Sequence, residues 1–348
     1  MRRLTIAGKE LTQTSVPYVI AELGTNHGGN VDTCLKMVRV AADCGASAVK
    51  LQKRTNSKLF TRNLYNQPYN SDAAYGPTYG LHREALELPM SAYREARELA
   101  HSLGMDFIAT AFDFDALDFI LDARVDAVKI ASGDLTNIPL QQEAARSGLP
   151  VLVSCGGGTL DDIDRVVVEW AGAEDKLCLL HCTAEYPCPP EDMDLKVIET
   201  MMDAYPGVLI GISDHQNGIA LAIMAYTYGA VVHEKHFTLD RSARGTDHAF
   251  SLEPTGLKKL VRDLGRAHAA VGDGVKDVKP GEAKPLFKMG KKIVAVKPLS
   301  SGIVVDDSHI TFKSPGDGLP PYKKDEIIGK YLTSPVEEDD NIERGWEE

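Results

Sequence analysis

Short apolar runs alternate along most of the chain with longer stretches whose apolar residues recur with a helical period. Eight runs have the length and β-branched content of strands: Tyr18–Glu22, Ala48–Gln52, Asp106–Thr110, Ala127–Ala131, Val151–Ser154, Leu177–His181, Val208–Ile212 and Ala230–His236. Helical stretches follow them; one begins after Ser91 and ends before Gly104, and Leu257–Val271 forms the eighth. Another follows Thr159, with Asp162 three residues later as its capping-box partner.

This alternation predicts an α/β fold, a (β/α)8 barrel, because strands buried on both faces have near-continuous apolar sequences. A doubly wound open sheet is disfavoured. Gly24, Gly28 and Gly29 follow the first strand without the spacing of a dinucleotide-binding turn.

The two ends of the chain differ from the barrel pattern. Residues 4–11 read as a hairpin that closes the barrel floor. Lys276–Lys284 is rich in Lys, Pro, Gly and Glu, as linkers are, and the runs IVAVKPL, GIVV, ITFKS and EIIGKYL follow as short strands and turns. We therefore predict a barrel domain over 1–275, a linker over 276–288 and a small β-rich domain over 289–348.

Polar residues follow all eight predicted strands, at the end of a barrel where active sites lie. Lys50 and Lys129 even lie within apolar strands, where an unpaired ammonium is costly to bury. Together with neighbouring hydroxyl groups, the two lysines could bind a small anion such as phosphoenolpyruvate. The alternative is that one lysine side chain extends to solvent and that the serines have only a packing role. The hydroxyls in question are Thr110, Ser132, Ser154 and Ser213.

Two histidines end neighbouring strands. His215 and His236, close to Glu22, favour a divalent metal over two merely hydrogen-bonded imidazoles. A site with two nitrogen ligands and additional oxygen ligands favours Mn²⁺, with Mg²⁺ or Co²⁺ as alternatives. Asp247 follows the last strand, where contact with sugar hydroxyls competes with a plain turn.

Composition narrows the class of protein. The net charge of −12 argues against a nucleic-acid partner, and no apolar run is long enough to cross a membrane. The start of the chain lacks a signal-type apolar stretch, so we expect a cytoplasmic location. The six cysteines are expected to be free, buried thiols; a zinc site at Cys178, Cys182 and Cys188 is the weaker alternative.

Several segments resemble the N-acetylneuraminate (sialic acid) synthases: IAELGTNHGG, AVKLQ, VKIASGDLTN, LLHCTAEYP, IGISDH, EKHFTLD and RGTDHAFSLEP. The tail VAVKPLSSGIVVDDSHITFKSPGDG is similar to their C-terminal antifreeze-like (SAF, β-clip) domain. The resemblance covers nearly the whole chain in the same order.

This resemblance implies a transferase that condenses phosphoenolpyruvate with N-acetylmannosamine, as its open-chain aldehyde, and water to give N-acetylneuraminate and phosphate. His215 and His236 would hold the metal, and Glu22 would orient or deprotonate water. Phosphoenolpyruvate would contact the lysine and hydroxyl set together with Thr183. Sugar contacts are implied for Gln52, Asp134, Tyr186 and Asp247. A domain-swapped homodimer is also implied.

Four departures from the family pattern leave the sugar open. Asp134 replaces Glu, Ala184 replaces Asn or Ser, Ser314 replaces an Arg, and Cys155-Gly156-Gly157 is unusual. The segment AYGPTYGLHREALEL resembles animal-type enzymes, some of which use the 6-phosphate. Alternatives are N-acetylmannosamine 6-phosphate, legionaminic or pseudaminic acid precursors, a 3-deoxy-octulosonate or arabino-heptulosonate phosphate synthase, and an inactive carbohydrate-binding barrel.

Overall fold

The structure, a computed structural model, describes residues 2–342 and divides the chain into two compact units, Met1–Val271 and Gly272–Glu348. Met1 and positions 343–348 lie outside the described residues, so the last part of the predicted C-terminal domain is not described. Within residues 2–342, no helix combines the length and apolarity needed to span a membrane.

The first unit is a closed barrel of eight parallel strands, as predicted. A hairpin of β1 (Arg3–Ile6) and β2 (Lys9–Thr12) precedes it. The barrel strands are β3 (Tyr18–Gly24), β4 (Ala48–Lys53), β5 (Asp106–Ala111), β6 (Ala127–Ile130), β7 (Val151–Ser154), β8 (Leu177–Cys182), β9 (Leu209–Asp214) and β10 (Val232–His236). Each pairs with its neighbour in sequence, and β10 pairs with β3 to close the ring.

Helices surround the strands. They are α1 (Val31–Asp43), α2 (Asn56–Leu59), α3 (Arg62–Tyr65), α4 (Tyr79–Glu84), α5 (Met90–Ser102), α6 (Phe114–Asp122), α7 (Ile138–Arg146), α8 (Leu160–Glu169), α9 (Val197–Ala204), α10 (Ala220–Thr227) and α11 (Pro254–Val271). Short 3₁₀ turns cover Ser132–Asp134, Glu174–Lys176 and Pro190–Asp192. The predicted Thr159–Asp162 capping box begins α8. Helix α5 begins at Met90, two residues earlier than predicted, with Pro89 rather than Ser91 as its N-cap.

The core has two layers. Apolar side chains on the outer face of the strands pack against the helices. Inside the barrel, Leu4, Ile6 and Leu11 of the hairpin pack against inward-facing strand residues such as Ile20 and Ile108, and so close the floor as predicted. The lower barrel is therefore filled with hydrocarbon, and open space remains only towards the carboxyl ends of the strands.

The second unit is small and β-rich. After the 3₁₀ turn Pro280–Glu282 and α12 (Ala283–Met289), β11 (Lys292–Ala295) pairs antiparallel with β12 (Ile310–Lys313). Two further 3₁₀ turns cover Asp307–His309 and Pro321–Glu326. The segments GIVV and EIIGKYL, predicted as strands or turns, contribute the single bridge Val304–Tyr331. Gly302 and Gly329 lie next to it with positive φ, as glycines in turns do. Helix α12 covers the last six residues of the predicted linker, 283–288, and ends one residue beyond it.

Candidate active site

Side chains along a β-strand alternate between its two faces, and this two-residue repeat determines which residues line the site. Ile20, Ala48, Ile108 and Leu152 face the interior, where they pack against the hairpin. Successive side chains alternate between faces, so the residues two positions further along also point inwards, one layer above the hydrocarbon. Those residues are Glu22, Lys50, Thr110 and Ser154, and the same rule places Lys129, Ser213 and Glu234 in this layer. A polar layer therefore lies directly on an apolar one.

A buried ion triad occupies the centre of this layer. The Lys50 Nζ lies 2.9 Å from Glu234 Oε1 and 3.2 Å from Glu22 Oε2. It also donates a hydrogen bond of 3.0 Å to Thr110 Oγ1. Burial disfavours the ammonium, but the two carboxylates reverse this effect and raise the pKa of Lys50 above its usual value. Lys50 is therefore a fixed positive charge.

The two carboxylates of the triad differ in their proton affinity. Burial and the negative charge of Glu234 raise the pKa of Glu22 to about 7, against the opposing effect of Lys50. Burial acts in the same direction on Glu234, but Lys50 and Lys129 outweigh it and lower the pKa of Glu234. Glu234 also accepts a hydrogen bond of 3.1 Å from Ser213 Oγ, which stabilises its ionised form. Glu234 thus keeps the charge, and Glu22 is the group that exchanges a proton near neutral pH.

Lys129 is the second buried ammonium of the layer. Its Nζ donates to Ser154 Oγ at 2.6 Å and to the Ile130 carbonyl at 2.8 Å. Both acceptors are neutral, and burial lowers the pKa of Lys129. Ser132 lies beside this group, where its Oγ accepts a hydrogen bond of 3.1 Å from the backbone N–H of Gly156. A Cβ at position 156 would lie 2.7 Å from that oxygen, so the close approach requires glycine.

The predicted pair of histidines comes together at the ends of β9 and β10. The ring centroids of His215 and His236 are 5.5 Å apart. The His215 Nδ1 lies 2.9 Å from the Thr183 carbonyl oxygen, which can only accept, so Nδ1 carries the proton and Nε2 keeps its lone pair. Burial, followed by the neighbouring imidazole, lowers the pKa of His215 to about 4. Burial also lowers the pKa of His236, so both rings are neutral at neutral pH.

These features suit a metal held by imidazoles. The His236 Nδ1 is buried and has no hydrogen-bond partner in the described part of the chain. A ligating histidine commonly donates its second nitrogen to a carbonyl, as His215 does to Thr183. Within residues 2–342, no three imidazole, thiol or carboxylate groups converge on one metal position. The protein would thus supply two ligands, and the remaining positions would be open to substrate or water.

A cavity of about 540 Å³ opens above the polar layer. Most of the residues predicted for the site line it: Glu22, Lys50, Gln52, Thr110, Lys129, Ser132, Ser154, Tyr186, Ser213, His215, His236 and Asp247. Thr183 and Asp134 are not among its lining residues. The Thr183 hydroxyl donates 2.9 Å to the Asp192 carbonyl, and Asp134 accepts 2.9 Å from Asn137. The direct substrate contacts of these two side chains stay predictions.

Polar groups suited to sugar hydroxyls surround Gly24. The Gln52 Nε2 donates a hydrogen bond of 2.6 Å to Glu22 Oε1. A Cβ on Gly24 would lie 3.2 Å from that oxygen, 3.3 Å from Asp247 Oδ2 and 3.6 Å from Gln52 Nε2. Gly24 also has a φ of +52°. The ring of Tyr186 lies 4.1 Å from that of His215, between centroids, and links this region to the histidine pair.

Several residues of the site lie outside the predicted set. Glu234 is not among the predicted site residues, although its two-residue spacing from His236 places both side chains on the inner face. Arg54 and Arg83 line the cavity from segments outside the strands, and no repeat in the sequence marks them. Behind the histidines, Lys235 Nζ and Asp214 Oδ2 form a buried ion pair of 2.7 Å. All six cysteines are free and buried, as predicted.

Comparison with known proteins agrees with this geometry. The model of the NeuB family matches residues 37–276, and the model of the SAF domain matches residues 292–342. The chain belongs to the NeuB family. It is 36% identical to N-acetylneuraminate-9-phosphate synthase of Homo sapiens, over 93% of this chain and 91% of the human protein. Its predicted relation to the sialic acid synthases is thereby confirmed.

Two further relatives span a range of activities and organisms. The N,N'-diacetyllegionaminic acid synthase of Campylobacter jejuni is 32% identical over 93% of this chain and 98% of that protein. The crystal structure of N-acetylneuraminic acid synthetase from Leptospira borgpetersenii superposes with a TM-score of 0.72 at 30% identity, covering 82% of this chain and 95% of that one. The family is therefore settled, whereas the relatives differ in the acid that their names specify.

Proposed function

We propose that this protein condenses phosphoenolpyruvate with the open-chain aldehyde of an N-acylated amino sugar, and with water, to give a nonulosonate and phosphate. The observation that carries the proposal is the presence of two buried lysines in one cavity with two neutral imidazoles. Lys50 and Lys129 suit the phosphate and carboxylate of phosphoenolpyruvate. His215 and His236 suit a divalent ion, with Mn²⁺ preferred and Mg²⁺ or Co²⁺ as alternatives.

The reaction forms one carbon–carbon bond and breaks one bond to phosphate. C3 of phosphoenolpyruvate attacks the aldehyde carbon, whose oxygen takes up a proton. Water adds at C2, and the C2–O bond to phosphate then breaks while the new hydroxyl passes its proton to the departing phosphate, so that the keto group remains. Glu22, whose pKa is raised towards neutrality, takes the proton from water. Lys50 and Lys129 stabilise the charge on the departing phosphate, and Glu234 holds Lys50 in place.

The proposed role of the histidine pair is to bind the metal ion at the aldehyde end of the cavity. A divalent ion bound there would polarise the aldehyde carbonyl as a Lewis acid. His215 keeps its Nε2 available by donating Nδ1–H to the Thr183 carbonyl. Tyr186 packs against His215, and Phe250 lies 4.9 Å from the His236 ring, between centroids, so aromatic surface limits the movement of both imidazoles.

The sugar is proposed to have the N-acetylmannosamine skeleton, so that the product is N-acetylneuraminate or its phosphate. Support comes from the relatives named for N-acetylneuraminate and its 9-phosphate. Precursors of legionaminic or pseudaminic acid are the alternative, since other relatives are named for these products. An inactive carbohydrate-binding barrel is disfavoured because it would not need buried Lys50 and Lys129.

The test measures phosphate release by the full-length protein after treatment with EDTA. Release should require phosphoenolpyruvate, added Mn²⁺ and either N-acetylmannosamine or its 6-phosphate, and omission of any one should reduce it to the background rate. Diacetamido-dideoxy hexoses serve as the comparison sugars. Equal release without a sugar, or turnover unaffected by EDTA, would contradict the proposal.

Two expectations, one about the oligomeric state and one about the cellular location, remain proposals. The first is a homodimer in which the C-terminal domain of one copy covers the barrel mouth of the other. It is supported by exposed apolar side chains at Leu286, Phe287 and Met289 in α12. Sedimentation as a monomer at micromolar concentration would contradict it.

The second is a cytoplasmic location, which cell fractionation would test.

A further inference from the structure

A buried ion pair lies behind the two histidines, on the outer face of the barrel. Asp214 of β9 and Lys235 of β10 are register partners, and each follows a residue whose side chain points into the barrel. Their side chains therefore point towards the helices, into the apolar layer that contains Ile212. The Lys235 Nζ lies 2.7 Å from Asp214 Oδ2, and both side chains are only 2% exposed. An apolar pair of similar volume is often at least as stable as a buried ion pair, so stability alone does not account for these charges.

The ion pair holds the turn that carries His215. Asp214 Oδ1 accepts a hydrogen bond of 2.8 Å from the backbone N–H of Gln216, and Lys235 Nζ donates one to the Gln216 carbonyl oxygen. Both backbone polar groups of Gln216 are thus bound by the ion pair. His215 lies between Asp214 and Gln216 in the chain. Its own carbonyl oxygen accepts a hydrogen bond of 3.1 Å from the backbone N–H of Cys188, so the backbone on both sides of the His215 side chain is fixed.

The same ion pair connects the second histidine to this turn. Lys235 directly precedes His236 in β10, and its charge partner Asp214 directly precedes the other histidine. The His236 Nδ1 has no hydrogen-bond partner among the described residues, so the position of this ring depends on packing and on its backbone. The separation of the two imidazoles, 5.5 Å between centroids, therefore depends on how β9 and β10 are held together at this level.

We propose that Asp214 and Lys235 are positioning residues, which hold the two histidines at a separation at which both imidazoles can bind one divalent ion. The inference rests on the proposed function, which assigns the ion to these histidines. Metal–nitrogen bonds tolerate only small errors in position, and groups that orient metal ligands affect metal affinity without touching the metal. The charge-assisted hydrogen bonds of Lys235 hold the turn in one geometry, whereas an apolar contact would fill the same volume without this restraint.

The test measures the Kd of the full-length, EDTA-treated protein for Mn²⁺ by electron paramagnetic resonance. Asp214→Asn combined with Lys235→Met replaces the two charged groups by uncharged side chains of similar size, and the net charge beside the histidines stays the same. The Kd should rise by about 10- to 100-fold, the effect of losing a group that orients a metal ligand. The matched control is Lys9→Met combined with Asp106→Asn, which removes an ion pair of 2.9 Å at the barrel floor and should leave the Kd unchanged.

Thermal melting, followed by circular dichroism, separates a positioning role from a purely structural one. A structural role alone predicts a lower Tm with an unchanged Kd for Mn²⁺, measured well below the melting transition, and this result would overturn the inference. If the double variant does not fold, the milder Asp214→Asn decides the question by the same criterion, since it keeps Lys235 and the size of the side chain.

Failure of the inference and failure of the proposed function give different results. Mn²⁺ binding that is weakened in His215→Ala but unchanged in the double variant would overturn the inference and leave the proposed function intact. Absence of Mn²⁺ binding by the wild-type protein would overturn the metal role in the proposed function, and the inference with it.

Discussion

The Glu22–Lys50–Glu234 triad makes a sharp prediction about the pH dependence of the reaction. Glu22 must be ionised to accept a proton from water, and the negative charge of Glu234 contributes to raising its pKa to about 7. Activity should therefore fall as the pH drops through this value. Glu234→Gln keeps the shape of the side chain but removes the charge, so Glu22 should lose its proton more easily. The acidic limb of the activity–pH profile should therefore move to lower pH.

The size of the shift follows from distances to the shared lysine. The Lys50 Nζ is 3.2 Å from a Glu22 oxygen and 2.9 Å from a Glu234 oxygen. These two oxygens are thus no more than about 6 Å apart, where unit charges interact by about 3 kcal/mol at an effective dielectric constant of about 20. That energy corresponds to about two pH units, and residual hydration of the cavity makes about one to two units the expected shift.

The assay is the pH profile of kcat/KM for phosphoenolpyruvate, which reports groups of the free enzyme. Ionisation of the substrate is common to both proteins, so the difference between the two profiles isolates the enzyme group. The pKa of His215 is lowered to about 4, so protonation of the imidazole affects a separate, more acidic range. Glu143→Gln, which removes an exposed carboxylate of α7, is the matched control. An unchanged limb in Glu234→Gln, or a limb at higher pH, would refute the reasoning.

Three further predictions concern the metal, the sugar pocket and the second unit. His215→Ala and His236→Ala should each abolish Mn²⁺-supported turnover. Each should also weaken Mn²⁺ binding, measured by electron paramagnetic resonance. Normal Mn²⁺ binding in either variant would show that the replaced histidine is not a metal ligand. Gly24→Ala should lower thermal stability and raise the sugar KM, because the added Cβ lies 3.2 Å from Glu22 Oε1 at a φ of +52°. Truncation near residue 285 should leave a folded barrel, seen by circular dichroism, with a raised sugar KM; unchanged kinetics would argue against a capping role.

Most of the barrel was predictable because strand and helix periodicity are local properties of the sequence. The eight predicted strands all form, with ends displaced by two residues or less. The second unit was less predictable: its core draws on distant residues such as Ile293, Val305 and Ile342, and outside the β11–β12 pair its segments meet through single bridges. Short segments of this kind have no periodicity long enough to distinguish a strand from a turn.

By itself, the sequence determined which residues lie at the carboxyl ends of the strands, since the two-residue repeat above an apolar layer places Lys50, Lys129 and His236 on the inner face. Tertiary structure decided the charges and the partners. Glu22 and Glu234 lie far apart along the chain, and only barrel closure brings both to Lys50. Likewise, Arg83 reaches the cavity from α4, a helix outside the eight strands. Electrostatic effects depend on distances through space, which no local pattern encodes.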